Sequence, residues 1–296
     1  MVDETVRWLA PARSGWIVDG TFGGGGHSRA LLAAYPDARV LGLDRDQDAI
    51  DQAFPDDRLT VLRANYRDID EVLDDAGFPD LVDGILLDLG VSSHQLDVAD
   101  RGFSYHHDGP LDMRMGGDAT RTAADIVNTE DEAVLTQIVA EYGEERFASR
   151  ISRAIVRDRP FATTRELAST VAGAVPAAAR RERHPARRTF QALRIAVNDE
   201  LGGLAEALDA GRSILAPGGR FVVMAYHSLE DRLVKRSFAD AAGGCICPPD
   251  LPVCTCGSAS EFSVLTRKAV RPSPNEIARN PRARSAVLRV LERSSS

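Results

Sequence analysis

Ile17-Val18-Asp19-Gly20-Thr21-Phe22-Gly23-Gly24-Gly25-Gly26-His27-Ser28 decides the fold of this 296-residue chain. A short apolar strand stops at an acid, passes through a glycine-dense turn and enters a helix at Ser28-Arg29-Ala30-Leu31-Leu32. A doubly wound α/β domain opens a nucleotide pocket in this way, because glycines turn the backbone tightly and approach a ligand without a Cβ. Four consecutive glycines cost too much chain entropy to serve as an empty connection. The next apolar run, Val40-Leu41-Gly42-Leu43, ends at Asp44. That is about the ~20-residue spacing at which such folds set a carboxylate on ribose hydroxyls.

Asp19 discriminates between ligands. Gly23 to Gly26 can be forced onto the G-x-G-x-x-G pattern of dinucleotide binders. A pyrophosphate, however, is negative and seeks helix N–H groups, not a neighbouring carboxylate. S-adenosylmethionine has no phosphate; it carries a sulfonium, an α-amino group and a ribose. Acids at both strand ends, Asp19 and Asp44, therefore favour it over a nicotinamide dinucleotide.

Composition narrows the class. The chain is 44% hydrophobic, enough for a packed core, and no apolar run approaches the ~20 residues that span a bilayer. No charged-then-apolar export signal opens it, so a cytoplasmic protein without membrane contact is expected. Net charge is −8, yet binding follows local field, not the molecular sum. Arg180, Arg181, Arg183, His184, Arg187 and Arg188 make one dense basic stretch, and further arginines populate the C-terminal region. Phosphate contact and genome composition both account for that arginine excess.

Strand–helix alternation fills residues 16–96, with strands expected near 16–19, 40–44, 59–63 and 82–88. Residues 97–130 read as polar, with Gly109-Pro110 and Gly116-Gly117 as breakers. Glu130 to Ile155 carries helical spacing, Thr163-Thr164-Arg165-Glu166 reads as a helix start, and Phe190 to Leu201 as a further helix. Alternation resumes where a helix ends at Pro217-Gly218-Gly219 and a buried strand follows. Phe262 to Thr266 and Ala286 to Leu291 read as late strands able to pair antiparallel. The expected organisation is a discontinuous α/β domain, 1–96 with 199–296, split by a helical insertion at 97–198.

Asp88-Leu89-Gly90-Val91-Ser92-Ser93-His94-Gln95 follows the fourth strand. Ligands in open sheets bind beyond the carboxyl ends of strands, which places Asp88, Ser92, Ser93 and Gln95 toward cofactor or acceptor. Methyl transfer to an amine needs alignment and desolvation more than acid–base power. An exocyclic base amine is a poor nucleophile because its lone pair is delocalised; Asp88 or a backbone carbonyl can localise it and take up charge. Tyr226-His227-Ser228-Leu229-Glu230-Asp231 follows another strand and adds His227 to that rim as base, stacking group or turn residue. Tyr66 reads as an adenine-stacking ring or as core. Cys245, Cys247, Cys254 and Cys256 fall within twelve residues and read as a zinc knuckle, with free thiols or a reversible disulfide as alternatives. None is placed as a strand-end nucleophile, so methylation of nitrogen or oxygen is expected over carbon 5 of a pyrimidine.

Several long motifs, in order over nearly the whole chain, resemble the bacterial MraW (RsmH) family of 16S ribosomal RNA cytosine-N4 methyltransferases. They are Asp19 to Gly23 with Gly25-Gly26-His27-Ser28, Leu86 to Ser93, Asp108 to Met115, Tyr142 to Phe147, Arg188 to Arg194, His227 to Arg232 and Asn280 to Ser285. The resemblance implies a class I (Rossmann-like) S-adenosylmethionine-dependent methyltransferase fold with an inserted all-helical domain that helps bind RNA. It implies transfer to N4 of a cytidine in the decoding centre, with 16S rRNA of the small ribosomal subunit as partner. Cofactor contacts carry over to Gly25, Gly26, His27, Asp44, Tyr66, Asp88 and Gln95, beside Asp19 and Gly23 of the loop; Asp88, Ser92 and His227 are the expected catalytic residues. The family usually has a His-x-Pro-Val segment before its first helix, where this chain has Met1-Val2-Asp3-Glu4. The cysteine knuckle is not general to the family. Monomer and homodimer both stay open. Competing readings are a DNA amino-methyltransferase, whose Asp/Asn-Pro-Pro-Tyr motif is not matched by Asp88-Leu89-Gly90-Val91, a non-catalytic assembly factor that binds S-adenosylmethionine, and, more distantly, a dehydrogenase.

Overall fold

Trp16–Asp19 (β1) starts the sheet because its apolar residues serve both faces at once: Ile17 and Val18 are fully buried, against different clusters. The computed structural model describes residues 1–177, 184–243 and 260–295. The strands that follow are Arg39–Asp44 (β2), Leu59–Arg63 (β3), Val82–Asp88 (β4), Leu215–Ala225 (β5), Phe262–Val264 (β6) and Val287–Arg293 (β7). They form one sheet in the order β3-β2-β1-β4-β5-β7-β6. The first five are parallel; β7 runs antiparallel to both β5 and β6. The fold class is therefore the expected one: α/β, doubly wound and Rossmann-like.

The chain divides into two compact units, Met1–Gly90 with Leu201–Ser296, and Val91–Glu200. The helices, in chain order, are Val2–Trp8 (α1), Gly26–Ala34 (α2), Gln47–Ile50 (α3), Ser93–Asp97 (α4), Ala123–Thr129 (α5) and Glu132–Glu141 (α6). Ala148–Asp158 (α7), Thr164–Ala174 (α8), Arg187–Asn198 (α9), Glu200–Ser213 (α10), Ser228–Ala242 (α11) and Pro274–Arg279 (α12) complete them. No helix among the described residues is long and apolar enough to cross a membrane.

In the first unit the sheet is buried on both faces, as parallel sheets are. Leu41, Ile85, Leu87, Phe221 and Val223 join Leu204, Leu208, Val234 and Phe238 on one face. Val40, Leu86, Val222, Met224 and Leu288 join Leu9, Leu31 and Leu32 on the other. Alternation along each strand makes this division automatic. Pro217-Gly218-Gly219 does not end a helix ahead of β5, as expected; it lies inside that strand. Val82 pairs with Leu215 and Gly84 with Arg220, so the extra residues bulge out at Gly218, whose φ is +79°.

The second unit has its own core, built from Phe103, Leu111, Met113, Met115, Leu135, Ile151, Leu167, Phe190 and Leu193 among others. Residues 97–130 are not simply a polar loop, because Leu111, Met113 and Met115 are buried anchors. Asn198 fixes them: its Oδ1 accepts from Met115 N–H at 2.8 Å, and its Nδ2 donates to Met113 O at 2.7 Å. The helical spacing from Glu130 to Ile155 is carried by two helices, α6 and α7. α6 ends at Tyr142, beside Gly143, where a Cβ would lie 2.6 Å from Val139 O, and Glu144 takes a positive φ of 47°. The helix read to Leu201 likewise stops at Asp199, left-handed at φ 47°. The start at Thr163 is a capping box with Glu166.

Candidate functional site

Three neighbouring parallel strands, β2, β1 and β4, end in aspartates: Asp44, Asp19 and Asp88. Their register sets Asp19 beside Gly42 on one side and Leu86 on the other. β2 and β3 are laid out on one side of β1 and β4 on the other, so the topological switch point falls between β1 and β4. Ligands of open α/β sheets bind beyond the strand ends there.

The glycine loop between β1 and α2 is held by its own backbone and by Asp44. Phe22 N–H donates to Leu43 O at 2.9 Å, Gly25 N–H to Phe22 O at 2.8 Å, and Gly23 N–H to Asp44 Oδ2 at 2.8 Å. The Phe22 ring is buried under the loop. A Cβ on Gly42 would stand 2.4 Å from its Cδ2, and one on Gly25 would stand 2.8 Å from its Cζ. Packing of one ring therefore dictates two glycines. Gly25 also has φ +69°, the left-handed region that only glycine adopts routinely, and it is the N-cap of α2. Gly24 and Gly26 differ. Both are exposed, and a Cβ on either would meet nothing within 4 Å among the described residues. Packing does not require them, and they leave a bare ledge before α2.

The three carboxylates are not equivalent. Asp19 is 0% exposed; its Oδ2 accepts from Ser28 Oγ at 2.7 Å and its Oδ1 from Thr21 N–H at 3.3 Å. Burial raises its pKa, opposed in part by His27 and Ser28. It ties β1 to α2. Asp44 is half-buried, accepts from Asp46 N–H at 2.9 Å as well as from Gly23, and is also raised by burial. The side chain of Asp88 is 25% exposed, so this acid does reach the cleft. Its Oδ1 accepts from the Tyr226 hydroxyl at 2.7 Å, its N–H donates to Thr21 Oγ1 at 2.6 Å, and its Oδ2 lies 3.6 Å from His27 Nδ1. Burial raises this acid too, against the pull of His27 and Tyr226. Burial, then the adjacent Asp88 charge, push the Tyr226 phenol far above its ordinary range, which keeps it a donor. His27 Nε2 is buried with no hydrogen-bond partner among the described residues.

Asp19, Gly23, Gly25, Gly26, His27, Asp44 and Asp88 thus lie around one strand-end cleft of the first unit. Tyr66 follows β3 in a 3-10 turn and packs at the entry to the loop, its Cβ 3.2 Å from where a Cβ on Gly20 would be. Ser92 and Gln95 fall in the second unit and form the capping box of α4, each accepting the other's backbone N–H at 3.1 Å. His227 is the N-cap of α11: Nδ1 accepts from Glu230 N–H at 3.4 Å, and Nε2 lies 3.1 Å from Glu230 Oε1. Both ring nitrogens therefore face Glu230 at the helix start. Cys245, Cys247, Cys254 and Cys256, with Arg180, Arg181 and Arg183, lie outside the described residues. Tyr226 was not singled out from sequence. Its signal was available, since it directly follows β5, the strand beside β4.

A family model described as the MraW methylase family matches residues 1–294. The chain is 50% identical over 301 residues to Ribosomal RNA small subunit methyltransferase H of Symbiobacterium thermophilum, covering 98% of this chain and 94% of that protein. The protein of the same name from Carboxydothermus hydrogenoformans is 50% identical over 303 residues, covering 100% of this chain and 97% of its own length. That from Heliobacterium mobile is 49% identical over 304 residues, with 99% and 97% covered. With a cleft at the switch point and matches of this extent, the chain belongs to the MraW methylase family.

Proposed function

We propose that this protein transfers a methyl group from S-adenosylmethionine to small-subunit ribosomal RNA, at the N4 amine of a cytidine in the decoding centre of 16S rRNA. The observation that carries the reading is the set of strand-end carboxylates, all raised by burial, beside a glycine ledge that packing does not need. Such a cleft is short of positive charge and hostile to a pyrophosphate. A sulfonium and an ammonium satisfy it. The names of the relatives support ribosomal RNA as the acceptor.

When bound, S-adenosylmethionine supplies an electrophilic methyl group on sulfur. The loop from Gly23 to Gly26, with its bare ledge at Gly24 and Gly26, admits its amino-acid portion, Asp44 is offered to ribose hydroxyls, and Tyr66 supplies a ring for adenine. The buried His27 Nε2, oriented by the first turn of α2, points to a polar ligand atom as its missing partner. Asp88 accepts a hydrogen bond from the exocyclic amine, which localises the nitrogen lone pair. As the N–C bond would form, the methyl–sulfur bond would break with its electron pair left on sulfur as a neutral thioether, and the amine nitrogen, made positive, would give one proton to Asp88 or to water. Tyr226 fixes Asp88 through Oδ1, leaving Oδ2 to the acceptor side.

The decisive test is tritium transfer from labelled S-adenosylmethionine to small subunits of a strain lacking the enzyme. Label recovered in N4-methylcytidine is the expected result; cofactor binding without label would favour a non-catalytic assembly factor.

A pH dependence follows from the raised carboxylates. In the free protein the raised values favour the protonated acids, so their stabilising share is present at low pH and lost as pH rises through them. A cationic cofactor favours the ionised acids. Its binding is therefore expected to release protons in the window just above the ordinary carboxylate range, and affinity is expected to fall as pH is lowered. Calorimetry in two buffers of different ionisation enthalpy measures this; proton uptake on binding would contradict it.

A further inference from the structure

The groove between α7 and α8, in the second unit, has a volume of about 580 Å³ and is lined by Arg150, Arg153 and Arg157 on one wall and Ser169, Thr170 and Gly173 on the other, with the Asp158 carboxylate at one end, where it takes Arg157 and the Thr170 hydroxyl. The arginines stand at i, i+3 and i+7 of α7, one stripe of a helix whose opposite face carries buried Ile151 and Ile155. All three are exposed. Arg150 makes no side-chain ion pair with any described residue. Arg153 is 72% exposed and only 3.5 Å from Glu132, a loose surface pair, while Arg157 is held by Asp158 at 2.6 Å.

Like charges three and four residues apart destabilise a helix, and Asp158 and Glu132 offset this at Arg157 and Arg153 but not at Arg150. The apolar lining is two alanine methyls, Ala154 and Ala174, too little to hold a sizeable apolar ligand; the wall opposite the arginines is otherwise polar. It offers two hydroxyl-bearing residues and a helical glycine, the residue least suited to a helix interior apart from proline. A Cβ at Gly173 would meet nothing within 4 Å among the described residues, so the space there is open. The whole chain carries a net charge of −8, so the charge of Arg150 and the loosely paired charge of Arg153 stand out against an acidic background.

We propose that this groove binds the sugar–phosphate backbone of the substrate RNA, with the guanidinium of Arg150 and that of Arg153 each on a phosphate and Arg157 at the groove's end. The assignment of RNA, in place of another polyanion, rests on the methyltransferase reading above. Planar guanidinium forks match phosphate oxygens in pairs, and hydroxyls add contacts without demanding a base sequence. The groove thus supplies position and affinity, not sequence choice.

The test uses the full chain and a fluorescein-labelled small-subunit rRNA transcript, with affinity followed from about 50 to about 200 mM salt. Arg150→Gln with Arg153→Gln is expected to weaken binding roughly tenfold or more at the lower salt and to flatten the slope of log affinity against log salt by about 1–2. KM for small subunits should rise while kcat and cofactor affinity hold. Arg150→Lys with Arg153→Lys should keep the slope. Gly173→Phe, which fills the groove without changing charge, should also weaken RNA binding, and melting curves confirm that each variant folds. Unchanged affinity and slope in the glutamine variant would overturn the proposal. So would loss of binding to phosphatidylglycerol vesicles with RNA binding intact, which would assign the groove to a lipid surface. If the wild-type protein binds RNA through these arginines yet transfers no methyl group, the groove stands and the methyltransferase reading fails; methyl transfer indifferent to them has the opposite meaning.

Discussion

Asp88→Asn is expected to lower kcat by about 10²–10⁴-fold, the range for loss of a positioned proton acceptor, with a smaller loss of cofactor affinity. The substitution keeps the shape of the side chain and a carbonyl oxygen for the Tyr226 hydroxyl, now 2.7 Å from Asp88 Oδ1. It removes the negative charge that localises the lone pair of a conjugated amine and receives its proton. It also removes the partner that faces His27 Nδ1 at 3.6 Å. Single-turnover transfer to unmethylated small subunits, beside calorimetry of cofactor binding, separates the two effects. A kcat within tenfold of wild type would assign proton acceptance to water or to a backbone carbonyl.

Gly25→Ala is expected to cost at least tenfold in cofactor affinity. The left-handed conformation at φ +69° is unfavourable for alanine by about 1–2 kcal/mol, and tenfold is about 1.4 kcal/mol. The new methyl group would in addition lie 2.8 Å from Phe22 Cζ and 3.0 Å from Phe54 Cε1. Relief requires the loop to lift or Phe22 to move. Phe22 is already packed closely on the backbone of Gly42 in the adjacent β2, where a Cβ would lie 2.4 Å from its Cδ2. The loop is therefore the part that yields, and with it the N–H groups that open α2. Isothermal titration with S-adenosylmethionine, with circular dichroism to check the fold, reads this directly. Affinity within twofold of wild type would show that the loop is not the cofactor's ledge.

Much of the sheet is legible in the sequence. The strands expected near 16–19, 40–44, 59–63 and 82–88 are β1 to β4, since a short apolar run bounded by an acid or a glycine is a local signal. The late strands pair antiparallel, Val264 opposite Leu291. Failures came where local signals were ambiguous. Pro-Gly-Gly reads as a turn in isolation, yet a long strand absorbs it as a bulge when β4 runs alongside. Apolar spacing from Glu130 to Ile155 is continuous across a break that only Gly143 and the left-handed Glu144 mark. Met113 and Met115, in a stretch read as polar, are buried because Asn198, 83 and 85 residues away from the backbone groups it binds, draws them into the core.

The order of acids along the chain, the glycine ledge and the strand-end location of the cleft were determined by sequence alone, because each depends on neighbours in the chain. The different environments of those acids were decided only in three dimensions. Asp19, closest to the loop in sequence, is fully buried and bonded to Ser28, whereas Asp88 is partly open and held by Tyr226, 138 residues further on. His227, which reads as base, stacking group or turn residue, is the N-cap of α11, with Nδ1 accepting from Glu230 N–H and Nε2 3.1 Å from Glu230 Oε1. Burial and hydrogen-bond partners arise from contacts between distant segments, and no local pattern of residues encodes them.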